Sequence, residues 1–370
     1  MPSDKRKLNE RELAKRGGSK PGEKSFFQEQ LIGEEALSFA TAKRLFGLAE
    51  ETLLLQPWRA LADTELVLVK DPELGGLCFC GVMGALGEVF AIHAYRGLES
   101  YRLFKKIVSG ASLDSGEFFI RQHSVTMEFL TPGKLSQPDR ELALVMGHPL
   151  KKGMMASQFR AGRPGYRPWY PTESEGKVLA LCVESVLAFC EYAMDNPGAG
   201  FWKHEDVYPQ VIWTKNKFYR VEIALVPVTE APQPDSVPLD EGRLKGLRRQ
   251  DFPLRGIIEV DQFYSAAPVG EKNQRKACLN VVMSVDAETG FLYVVGANEP
   301  SRPIGEMLLD GVLQTIEKAK FVPAQVHVRD EIHKSLLDPL KERFGFEVRV
   351  SEKLPALEFA KKEMHKALGI

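Results

Sequence analysis

The stretch RGIIEVDQFYSAAPV, residues 255–269, decides how the C-terminal third of this chain folds. Ile257, Ile258, Val260, Phe263 and Tyr264 are the β-branched and aromatic residues that suit a pleated, half-buried strand. Asp261 is the odd member. A carboxylate inside an apolar strand is costly unless a partner meets it. Asp261 is therefore a metal ligand, a paired structural charge, or part of a wet face. Alternation puts Glu259, Asp261 and Phe263 on one side of the strand, and a solvated face would explain that as well as a site would.

Working downstream, ACLNVVMSV (277–285) is a second strand, and the turn DAETG leads to a third, FLYVVGA (291–297). IGEMLLDGVLQTIEKA (304–319) carries Ile304, Leu308, Val312 and Ile316 on one helical stripe. AQVHV (324–328) is a fourth strand and EIHKSLLDPLKERFG (331–345) a helix that Pro339 interrupts or restarts. FEVRV (346–350) and LPALEFAKKEMHKAL (354–368) add a fifth strand and a last helix. The order is β-β-β-α-β-α-β-α, an α/β domain over 253–370.

Upstream, PVTEAPQPDSVPLDEGRLKGLRRQDFP (227–253) is rich in proline and poor in large apolar residues. It suggests an extended linker over 230–252. Before it, residues 26–229 have the pattern of an α+β domain. Helical spacing around Leu37, Ala40, Leu45 and Leu48 comes first. Three strands follow in ELVLVKDPELGGLCFCGVMGALGEVFAIHAYRG (65–97), then a helix over LESYRLFKKIV (98–108) and a strand over HSVTMEFL (123–130). A short helix starts near Ser136. PTESEGKVLALCVESVLAFCEYAMDNPG (171–198) is the clearest helix, with Thr172 and Glu175 as a capping box and Asn196, Pro197 and Gly198 as its stop. Only Lys177, Glu184 and Glu191 form a polar stripe on it, so it is expected to be the buried spine of the domain. PQVIWTKNKFYRVEIALVPV (209–228) closes the domain as a hairpin around Asn216.

The 370 residues are 44% hydrophobic and 27% charged with a net charge of −1, a balance that gives no global attraction to nucleic acid or anionic membrane. The five cysteines include no CxxC pair and their number is odd, which argues against a disulfide framework and for a reducing, cytoplasmic setting. Residues 1–25 form a basic tail with no apolar core, unlike a signal peptide. No apolar run is long enough for a membrane span.

The strand and helix order of 253–370 resembles the ribonuclease H-like fold of nucleases, transposases and integrases, and SVDAETGFLYVV (284–295) is similar to its second hairpin. Over residues 50–370 the chain also resembles a bacterial family made of two tandem domains of unknown function, through CGVMGALGEVFAIHAYRG (80–97), RPGYRPWYP (163–171) and VHVRD (326–330). The first resemblance implies a two-metal phosphodiesterase site with an Asp in the first strand, a second after the fourth strand, and an acid from a helix. Asp261 and Asp330 match the first two positions and would ligate Mg²⁺ or Mn²⁺. Glu306 or Asp310, or Glu358 or Glu363 on the last helix, would supply the third, with Glu306 taken as the candidate. Asp330 is equally a natural N-cap for the helix that follows. Arg248 and Arg249 of the linker and Lys272 and Arg275 of the first hairpin would meet nucleic-acid phosphates.

Other motifs have plainer readings. GVMGALG (81–87) lacks the Lys-Ser/Thr of a phosphate loop and fits a hairpin turn better. Cys78 and Cys80 share a strand face without a second pair of thiols nearby in sequence, so they are buried small side chains rather than zinc ligands. His327 and His333 flank Asp330, where each is read as a structural histidine. Arg163, Tyr166, Arg167, Trp169 and Tyr170 either stack on a partner or stiffen the entry to the helix at Thr172. Two functions remain: a non-catalytic binding or scaffolding protein with a degenerate ribonuclease H-like domain, or a metal-dependent phosphodiesterase acting on nucleic acid.

Overall fold

The computed structural model describes residues 35–110, 115–196, 206–214, 218–226, 241–247, 252–271 and 273–368. The chain divides into two units. The first gathers Met1–Pro227 with Gly270–Lys276, and the second takes Val228–Val269 with Ala277–Ile370.

The first unit holds a seven-stranded sheet in the order β5-β4-β3-β2-β1-β6-β7. Its strands are β1 (Leu66–Lys70), β2 (Leu77–Met83), β3 (Phe90–Arg96), β4 (Ser124–Leu130), β5 (Ala156–Gly162), β6 (Val207–Trp213) and β7 (Tyr219–Leu225). All neighbours are antiparallel except β1 and β6. Both faces of the central strands are covered, which is why LCFCGVM carries apolar residues without a polar alternate. Cys78, Cys80 and Val82 join one core with α1 (Phe39–Leu55) and α5 (Glu173–Asp195). Phe79 joins a second core with Tyr101, Leu103 and Phe104 of α2 (Gly97–Val108) and Phe118 of α3 (Ser115–Arg121). The remaining helix, α4 (Gln137–Val145), is capped by Ser136 as expected.

α5 is the spine that the sequence predicts. Thr172 accepts from the Glu175 amide, the Glu175 carboxylate accepts from the Thr172 amide, and Asn196 ends the helix. Such a cap contributes about 1 kcal/mol. Pro197, Gly198 and the turn around Asn216 lie outside the described residues. β5 and α3 were not expected from the sequence. ASQFRAG is rich in small residues with weak strand preference, and it is recruited as an edge strand by a full ladder to β4.

The second unit holds a five-stranded sheet in the order β10-β9-β8-β11-β12. β8 (Ile257–Val269), β9 (Ala277–Asp286) and β10 (Leu292–Asn298) form an antiparallel meander, and β11 (Gln325–Val328) and β12 (Glu347–Val350) continue parallel to β8. Ile258 and Val260 face α7 (Ile304–Ala319) and α8 (Glu331–Phe344), and Phe263 faces α9 (Pro355–Leu368). This is the predicted element order. α8 runs through Pro339 without ending there.

The segment expected to be an extended linker departs from that reading. A short helix, α6, spans Glu241–Gly246, and Leu244 and Leu247 are buried in the second unit's core. Two isolated leucines among charges and prolines carry no periodic signal, so their burial is a purely tertiary effect.

Candidate functional site

β8 is longer than β11 and passes beyond its C-terminal end. The parallel register pairs Ile257 with Gln325, Ile258 with Val326 and Glu259 with His327. Two residues further on, Asp261 comes level with Arg329. Ligand sites in open α/β sheets gather at such carboxyl ends of parallel strands.

The side of β8 that could have been wet is buried: Glu259 and Asp261 are each 3% exposed and Phe263 1%. α9 covers it, since Leu357 and its neighbours pack on Phe263, Met283 and Val285. Each carboxylate there has a partner. Glu259 accepts from the Leu357 amide at 2.8 Å and so satisfies an orphan donor in the first turn of α9. Asp261 Oδ2 accepts from Arg329 Nε at 2.8 Å. Arg329 Nη1 also donates to the Glu352 carbonyl at 3.2 Å and lies 3.6 Å from Glu358 Oε1. Asp330 is the N-cap of α8 and accepts from the His333 amide at 2.9 Å. His333 Nδ1 is 3.7 Å from both Asp261 Oδ1 and Asp330 Oδ1, too long for a hydrogen bond. Asp261 Oδ1 and His333 Nδ1 are both buried and carry no hydrogen bond.

The structure thus brings Asp261 and Asp330 to one imidazole and adds Arg329 and Glu358. It does not bring Glu306 to them. Glu306 lies in the first turn of α7 after β10, where it and Asp310 approach Arg302 at 3.8 and 3.6 Å. Glu363 pairs with Lys366. Of the basic residues expected on phosphates, Arg248, Arg249 and Lys272 lie outside the described residues. Arg275 is 8% exposed, and its guanidinium is spent on the Ala161 carbonyl at 2.9 Å and on Glu175 at 3.0 Å. The Arg163–Tyr170 loop behaves as a stiffened helix entry, with Arg163 on Glu175 and Trp169 bridged to Ala161.

Among the described residues no group of three or more His, Cys, Asp or Glu is arranged to hold a metal ion. The donor set explains why. One Asp261 oxygen holds a guanidinium, one Asp330 oxygen closes a helix cap, and the α7 acids pair elsewhere. These residues do not fit a two-ion centre, and a Mg²⁺ or Mn²⁺ role finds no support in this arrangement.

Sequence reasoning overlooked Arg329 because acids were the residues sought, although the register that selects Asp330 selects Arg329 more directly. It also missed that Cys182, from α5, comes within hydrogen-bonding reach of Cys78 and Cys80. That contact, with burial, pushes the Cys78 thiol up, and all three thiols are free and buried.

Glu259 yields a prediction. Burial holds its carboxyl above the usual range, against the pull of the α9 amides. A raised folded value means the folded state binds the extra proton, so stability falls as pH rises past the ordinary carboxylate range. Glu259→Gln keeps an acceptor for Leu357 and removes the buried charge. It is expected to raise the thermal midpoint at pH 7 and leave it nearly unchanged at pH 4. Calorimetry at the two pH values checks this, and a lower midpoint at pH 7 would refute it.

Comparison with known families gives two matches. Residues 43–208 match a domain of unknown function (DUF7309), and residues 243–365 match a second domain of unknown function (DUF6930). No curated protein matches the chain. No helix among the described residues is long and apolar enough to cross a membrane.

Proposed function

We propose that this chain, which carries these two domains of unknown function in tandem, is a non-catalytic binding or scaffolding protein whose C-terminal domain is a degenerate member of the ribonuclease H-like fold. The strand order β10-β9-β8-β11-β12, with β9 alone antiparallel to both of its neighbours, supports the fold reading. The observation that carries the functional reading is the 2.8 Å bond from Arg329 Nε to Asp261 Oδ2. A guanidinium stands between Asp261 and Glu358, where catalysis would need divalent ions. It neutralises the carboxylates without offering a Lewis acid or activating a water. One feature favours the alternative, a metal-dependent phosphodiesterase: the unbonded Asp261 Oδ1 and His333 Nδ1 face one another beside Asp330.

One experiment decides between them. The full chain is titrated with Mn²⁺ by calorimetry and incubated with labelled single- and double-stranded oligonucleotides. No saturable heat and no cleavage are expected. Cleavage that requires Mn²⁺ and disappears in Asp261→Asn would overturn the proposal. In parallel, Arg329→Ala is expected to cost about 1–3 kcal/mol of stability. That is less than a fully buried pair, because the Arg329 side chain is 38% exposed.

A further inference from the structure

We propose that a cleft in the first domain binds a small amphipathic carboxylate, an aryl or short acyl acid with its carboxylate on Arg59. The cleft lies between the end of α1, the turn that follows it and the β2–β3 hairpin. Its volume is about 720 Å³, within the range of small-molecule sites. Leu53, Trp58, Phe90 and Met155 supply apolar walls, and Gln56 and Arg59 are polar lining groups.

The floor is aromatic. The Trp58 and Phe90 rings meet edge to face at 4.9 Å, and Phe129 stands behind Trp58 at 5.9 Å. The hairpin turn is pressed onto this floor. A Cβ at Gly84 would stand 2.8 Å from both Trp58 and Phe90, and its φ of +142° suits only glycine. Asp63 accepts from the Gly84 and Ala85 amides at 3.3 Å each, which commits that carboxylate to the turn. The GVMGALG motif is therefore a hairpin turn, as expected, and it also forms one side of a cleft.

Two observations say what enters. Arg59 is exposed at the cleft and, among the described residues, forms no ion pair. Its fork is open to a bidentate carboxylate. Leu86, at the tip of the turn and lining the cleft, is 83% exposed. It makes an apolar rim that contributes little to the core and would cover the body of a ligand. A flat or aliphatic body against Trp58 and Phe90, with an anionic head on Arg59, satisfies both.

The test uses the full chain with phenylacetate and hexanoate as probes, followed by ligand-observed NMR and tryptophan fluorescence. Neutral phenylacetamide is the control. Both acids are expected to bind, and phenylacetamide roughly tenfold more weakly, the difference that a charge-assisted bidentate contact makes. Arg59→Gln should lose the same factor for the acids and nothing for the amide. Arg59→Lys, which keeps charge but not the fork, should retain part of the binding. Circular dichroism confirms that each exposed-site variant is folded. No binding of either acid up to about 10 mM, a free energy too small for a real site, would overturn the proposal. So would binding that Arg59→Gln leaves unchanged.

Discussion

Arg96→Met is expected to destabilise the first domain by about 3–5 kcal/mol, the cost of leaving one partner of a buried ion pair alone. Arg96 ends β3 and Asp71 follows β1, and their side chains are 1% and 0% exposed. Arg96 donates to Asp71 from Nε at 2.7 Å and from Nη2 at 3.2 Å, and to Glu73 at 2.6 Å. Asp71 Oδ1 also accepts from the Glu73 and Leu74 amides and so shapes the turn into β2. Burial pushes the Asp71 carboxyl up, but Arg96 and those amides outweigh it and hold it below its ordinary range. A lowered folded value means that the stabilisation is present above the unfolded pKa and is lost as pH falls through the folded one. In the variant only the Glu73 and Leu74 amides still oppose the burial, so most of that pH-dependent stabilisation is lost. The gap between wild type and variant should therefore be widest at pH 7 and shrink at pH 4. All four tryptophans lie between positions 58 and 213, so urea unfolding followed by tryptophan fluorescence reports this domain. A gap below about 1 kcal/mol at pH 7, the size of an exposed pair, would mean that water replaces the guanidinium.

What could be foreseen divides along sequence distance. The capping box at Thr172 and Glu175 is three residues wide, so its signal is entirely local, and the helix it opens is the one observed. The β-β-β-α-β-α-β-α order follows from periodicities within single elements, and it places β8 beside β11. From there Asp261 and Asp330 are expected near one another, and one imidazole does lie 3.7 Å from each. Three features stayed hidden. The burial of Glu259 and Asp261 depends on α9, which begins 94 residues after Asp261 (355 minus 261). The Arg329 bond depends on where β11 stops, a boundary that the sequence marks poorly. Leu244 and Leu247 are buried only because the second core has room for them. In each case the missing information is which surfaces meet, and no local pattern encodes it.

Glu175 shows how a local signal can conceal a long-range one. Beyond its capping role it accepts from Arg163 at 2.7 Å and from Arg275 at 3.0 Å, and the Glu175 and Arg275 side chains are each 3% exposed. Arg275 lies at the tip of the β8–β9 hairpin, in the Gly270–Lys276 segment that groups with the first unit. Glu175→Gln preserves the capping geometry, since glutamine serves in that position, and removes only the charge. The buried Arg275 guanidinium then loses the carboxylate that faces it, at a cost of about 3–4 kcal/mol. Arg163, 35% exposed, adds little. Burial pushes the Glu175 carboxyl up, but Arg275 and then Arg163 and the Thr172 amide bring it below its usual range. This stabilisation too is present at neutral pH and fades in acid. Limited trypsinolysis gives a direct readout. Cleavage at a locally protected site follows the population of its open form, so a loss of about 3 kcal/mol predicts roughly 100-fold faster cutting after the buried Arg275 at pH 7. If the rate is unchanged while global stability drops, the bonds from Arg275 to the Ala161 and Tyr170 carbonyls hold the tip by themselves. The carboxylate then acts only through the helix it caps.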